Sequence, residues 1–65
     1  MENLAWIERG TVAEITEEGY RVNSIDRPGI VTPPLLTTGK EMYTTGDKVY
    51  FFLFRDGTGK ILSRM

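Results

Sequence analysis

Three groups of residues in this chain could do chemistry: a scatter of carboxylates, a glycine-rich loop at Asp56-Gly57-Thr58-Gly59, and the aromatics Tyr50, Phe52 and Phe54 beside Lys48 and Arg55. The carboxylates could serve acid–base catalysis, but His and Cys are absent. The commonest general base and the commonest strong nucleophile are therefore missing. Glu17-Glu18 sit at a turn signal, where solvated acids are the norm. Asp47 and Asp56 flank one strand, which at about 3.3 Å per residue holds them roughly 30 Å apart. Asp26 is expected to accept a bond from the backbone of its own turn. No catalytic residue is assigned on this reading, and a non-enzymatic role is expected, with no cofactor. Without Cys or His, structural zinc sites and disulfides are excluded.

The Asp56-Gly57-Thr58-Gly59 loop looks superficially like a phosphate cradle. Such a cradle leads from a strand into a helix, whose first N–H groups hold the anion. This loop leads instead into Lys60-Ile61-Leu62, a strand pattern, so it is read as a hairpin turn. The aromatic stripe has two functional readings. OB folds bind single-stranded nucleic acid on aromatics interleaved with basic groups. Against that, the chain has a formal net charge of −1 and no aromatic-rich RNA-binding consensus. The stripe is also continuously apolar, which favours a protein-facing surface. Trp6 is a candidate for the same surface, where Trp is enriched, or for the core.

Elements must hold that stripe in place. The run from Val49 to Phe54 is apolar on both faces: Val49, Phe51 and Leu53 point one way, Tyr50, Phe52 and Phe54 the other. The first set is expected in the core. Gly46-Asp47 opens this strand, and Ile61-Leu62 lead its returning partner. Upstream, residues 6–16 are expected to form a first strand. In it Val12 and Ile15 are three apart, so a β-bulge near Ala13-Glu14 is expected to bring both to the core. Gly10 is the other place where that strand could bend. Glu17-Glu18-Gly19 forms a turn, with Gly19 available for positive φ. A second strand runs from Tyr20 to Ile25, with Tyr20 and Val22 inward and Arg21 and Asn23 in water.

Asp26-Arg27-Pro28-Gly29 is a turn signal, with Pro suited to its second position and Gly to its third. Ile30-Val31-Thr32 is expected to form a short third strand. Pro33-Pro34 interrupts pairing, since neither residue offers an N–H, and Leu35-Leu36-Thr37 could resume it at a sheet edge. Pro33-Pro34-Leu35 is read as this breaker rather than as a proline-rich ligand. Residues 38–45 form a polar loop in which Met42 and Tyr43 could cover one end of a barrel. The sum is a single domain over residues 1–65, an all-β small five-stranded barrel, OB-like or SH3-like.

At 65 residues such a domain buries only about 60% of the surface its unfolded chain exposes. With disulfides and metals excluded, tight packing and association with other chains are the remaining supports. Acids outnumber bases in the first half of the chain, and bases outnumber acids in the second. Met1-Glu2-Asn3 does not resemble a signal peptide, and no run approaches the ~20 apolar residues of a membrane span. The expected setting is the cytoplasm, or a particle assembled there.

Gly10-Thr11-Val12, Tyr20-Arg21-Val22, Gly46-Asp47-Lys48-Val49 and Gly59-Lys60-Ile61-Leu62 together resemble the small β-barrel modules of phage tail and baseplate proteins. In those modules one strand opens on a G-D-K/R-V pattern and the last ends in an I-L-G-R type sequence. Here Ser63 stands where that pattern has Gly. The resemblance implies a structural module, with no catalysis of its own, that packs into a tail, hub or spike assembly. The expectation is therefore an interaction module, self-associating or built into a larger assembly, with Tyr50, Phe52, Phe54 and Trp6 as its surface. The alternative is an OB-type nucleic-acid binder using the same stripe.

Overall fold

A computed structural model describes the backbone of residues 5–65 and the side chains from Ile7 onward. Alternating apolar positions broken by glycine turns give an all-β chain. Its strands are β1 (Ala5–Thr16), β2 (Gly19–Ser24), β3 (Leu36–Thr37), β4 (Lys48–Phe54) and β5 (Gly59–Arg64), and no helix occurs among the described residues. They curl into a half-barrel in the order β2-β1-β4-β5-β3, antiparallel except for β3 with β5.

Strand β1 is long because it serves two neighbours. Ala5–Thr11 pairs with β4 and Gly10–Thr16 pairs with β2. Gly10 lies where the two pairings overlap, and the space a side chain would need there is filled by Val22 and Phe51. The expected bulge is present as a register shift between Val12 and Glu14. It turns Val12 into the core but not Ile15, which is 50% exposed. The β1–β2 hairpin runs on beyond the last buried pair, Val12 and Val22, and Ile15, opposite Tyr20, lies at the margin of the core.

The third strand also differs from expectation. Ile30-Val31-Thr32 makes only an isolated bridge, Asn23 with Val31, and Ile30 and Val31 stay exposed. Pro33-Pro34 separates that bridge from a second one, Tyr20 with Leu35, after which β3 pairs with β5. The segment 30–35 thus hydrogen-bonds along β2 through Ser24 N–H to Ile30 O, Thr32 N–H to Val22 O, and a reciprocal Tyr20–Leu35 pair. This interrupted strand links the two edges of the sheet, so few backbone groups are left as a template for foreign strands. The buried Thr32 hydroxyl adds to it by accepting from Val22 N–H at 3.0 Å.

The core is Val12, Val22, Leu35, Tyr43, Val49, Phe51, Leu53 and Ile61, with Tyr20 packed against it. Of the two residues expected to cover a barrel end, Tyr43 does so and Met42, 80% exposed, does not. Tyr43 meets Tyr20 edge-on at 5.5 Å, and the Arg64 guanidinium lies 5.1 Å from its ring centroid. Burial pushes the Tyr43 hydroxyl pKa up, and its hydrogen bond to Glu41 adds to the rise.

Candidate interaction surface

The side-chain alternation of β4 divides its residues between core and solvent. Val49, Phe51 and Leu53 are buried as expected, while Tyr50 (39% exposed), Phe52 (half-buried) and Phe54 (41%) face outward. The 38–45 loop leaves this stripe uncovered, because its one buried residue, Tyr43, packs on the opposite side of the sheet among Tyr20 and the core. Register then decides what flanks the stripe, since residues directly opposite in a ladder share a face. Ile7 lies across from Phe52 and Arg9 across from Tyr50 on β1; Lys60 lies across from Phe52 and Ser63 across from Tyr50 on β5. Ile7 is 66% exposed and extends the apolar stripe on to β1. The rings of Phe52 and Phe54 meet edge to face, centroids 5.4 Å apart, a geometry their quadrupoles favour.

Of the surface residues expected from sequence, three therefore lie together. Trp6 pairs with Leu53 through its backbone, and its side chain lies outside the described residues. Ile7 is an addition from the structure. Nothing local distinguishes it, because its place on the face depends on the β1–β4 register across more than forty residues of chain.

The carboxylates are dispersed, and apart from Glu17 and Glu18 in the β1–β2 turn each described one has a structural partner. Asp26 does not cap its own turn. It accepts from the Arg9 guanidinium at 2.7 Å and from Arg9 N–H at 3.1 Å. The Arg9 side chain, then its N–H, hold the Asp26 pKa below the usual carboxylate range. The turn itself is closed by Ile30 N–H to Arg27 O, with Gly29 at φ 88°. Asp47 accepts from Thr44 N–H and from Arg64, and Asp56 accepts from Thr58 in its own turn. These bonds, chiefly the backbone N–H groups of Thr44 and Thr58, depress both pKa values.

Glu8 is a further difference. As a charged residue in a strand it would ordinarily face water, yet it is buried. Its carboxylate accepts from Ser24 Oγ at 2.9 Å and pairs with Arg27 at 2.9 Å. A buried carboxylate so engaged braces β1 against the start of the turn after β2 and is not open to a substrate. Among the described residues no group of three or more His, Cys, Asp or Glu could hold a metal ion. No helix among them is long and apolar enough to cross a membrane. Comparison with protein families, curated proteins and solved structures finds no match.

Proposed function

We propose that this chain is a non-enzymatic interaction module that associates with further copies of itself, or packs into a larger assembly, through the outer face of β1 and β4. The observation that carries this reading is the contiguous apolar stripe of Ile7, Tyr50, Phe52 and Phe54 on a sheet whose other face is already filled. Fully burying such a side chain contributes about 1.5–3 kcal/mol. Scaled by the exposure of Ile7, Tyr50 and Phe54, the face holds about 2–4 kcal/mol of unused burial per copy. The assembly role implied by the resemblance to phage tail and baseplate modules agrees with such a face.

The pairing of β1 with both β2 and β4, and the parallel pairing of β3 with β5, favour an OB-like strand order over an SH3-like one. That order also weighs against the nucleic-acid alternative. OB folds bind oligonucleotides on the face of strands two and three and the adjoining loops, whereas this stripe lies on β4. The loop between β1 and β2 carries Glu17 and Glu18, which repel phosphate.

Sedimentation velocity over a range of concentrations tests the proposal. Wild type is expected to self-associate, and Ile7→Ser with Phe54→Ser to remain folded and monomeric. A wild type that stays monomeric throughout removes self-association and leaves only packing against other chains. A salt-dependent oligonucleotide shift abolished by Phe52→Ala replaces it with the alternative.

A further inference from the structure

Most charges on the described surface are already engaged. Arg9 pairs with Asp26, Arg21 with Glu14, Arg27 with Glu8 and Arg64 with Asp47. Glu41 accepts from the Tyr43 hydroxyl and Asp56 from its own turn. Subtracting these leaves a sorted remainder. Glu17 and Glu18 stand at the tip of the β1–β2 hairpin, next to half-exposed Ile15. Lys48 and Lys60 lie on the outer face around Tyr50 and Phe52, and Arg55 follows Phe54 at the end of β4. Lys40, in the 38–45 loop, belongs to neither group. The acidic tip therefore carries an exposed aliphatic side chain, and the aromatic face carries a basic rim.

We infer that copies of this chain associate head to tail, with the acidic β1–β2 hairpin tip of one seated on the basic-rimmed aromatic face of the next. This rests on the reading of that face as an interface and names its occupant. Three physical points support it. Two aromatic faces brought together would oppose Lys48 and Lys60 to the same residues of the other copy, and like charges across an interface are costly. The tip offers the opposite sign, with Ile15 as the apolar contact. The tip also cannot reach its own face. Thr11 is the last β1 residue paired with β4, and the five residues from there to Thr16 hold the tip roughly 15 Å away at about 3.3 Å per residue. A heterologous contact of this kind propagates into a ring if its rotation closes and into a filament if it does not.

Charge reversal on each side tests the contact by sedimentation velocity, with circular dichroism to verify folding of these surface variants. E17K/E18K and K48E/K60E are each expected to associate about tenfold more weakly than wild type, or less strongly still, the scale of two lost rim pairs. An equal mixture of the two is expected to regain association, because each altered surface then meets its opposite. Association of wild type should weaken as salt is raised. If E17K/E18K associates like wild type while Ile7→Ser with Phe54→Ser does not, the face remains an interface and the head-to-tail arrangement is overturned. Failure of the mixture to recover also overturns it. A monomeric wild type overturns the head-to-tail arrangement and self-association with it, and leaves only packing against other chains.

Discussion

Replacing Gly10 by Ala probes the point where β1 passes from one neighbour to the other. The new Cβ would clash with Val22 Cγ1, approach Phe51 Cε1 to 2.8 Å and lie 3.1 Å from Asn23 O. Val22 and Phe51 are both fully buried, and a β-branched Val has little rotamer freedom with which to retreat. Overpacking of this kind costs about 1–3 kcal/mol, and two rigid neighbours put this site at the upper end. Gly10 does not have positive φ, so Ala recovers about 0.4–1 kcal/mol by restricting the unfolded chain. The net loss is about 2 kcal/mol. At 65 residues the whole domain is worth about 3–10 kcal/mol, so the variant should fold but melt about 8–16 °C lower. Urea and thermal denaturation followed by circular dichroism measure this. Gly39→Ala, where a Cβ meets nothing within 4 Å, serves as the control and should stay within about 0.5 kcal/mol. Adding Val22→Ala to Gly10→Ala should cost less than the two changes separately, since it removes the atom being struck. A Gly10→Ala protein as stable as wild type would refute the close approach of β1, β2 and β4.

Two further predictions concern pH. Asp26, Asp47 and Asp56 all have folded pKa values below their ordinary range, through Arg9, the Thr44 N–H and the Thr58 N–H respectively. Their contribution is complete above the unfolded pKa of about 4 and is lost as pH falls through the folded values; Asp26→Asn should flatten part of the acid slope in urea midpoints, and an unchanged slope would discard the Arg9–Asp26 bond as its source. Tyr43 is shifted upward by burial, so its contribution is intact below about pH 10 and fades as pH rises through the folded pKa. Tyrosinate absorbance should accordingly include a late-ionising step that Tyr43→Phe removes.

What could be read along the chain was whatever depends on neighbours a few residues away. The outward and inward sets of β4 follow from strict alternation between Val49 and Phe54. The Asp56-Gly57-Thr58-Gly59 reversal, the Pro28-Gly29 turn and the bulge beside Ala13 are likewise written in residue types and spacing. Where the reading failed, the deciding partner was distant in sequence. Ile15 has the right spacing for the core, but the hairpin has outrun the core layer by the time the chain reaches it. Asp26 has its own turn at hand, yet Arg9, seventeen residues away, offers a charged donor and a backbone N–H together. Ile30-Val31 is as apolar as a strand, but the prolines after it and the pull of β5 on Leu36–Thr37 leave it a bridge.

The sequence alone determined the class of the protein: short alternating strands, glycine turns, and one strand too apolar for a single core. Those properties are local, set by backbone sterics and side-chain periodicity, and survive whatever the rest of the chain does. The tertiary structure decided which residues share the outer face and which charges remain free. Ile7 joins Phe52 only through the β1–β4 register. The acidic tip and the basic-rimmed face emerge only once four ion pairs, three of them between residues seventeen or more apart in the chain, have engaged Arg9, Arg21, Arg27, Arg64 and their carboxylates. Strand register and ion pairing are collective properties of the folded chain, because each is set by the closing of the sheet on itself.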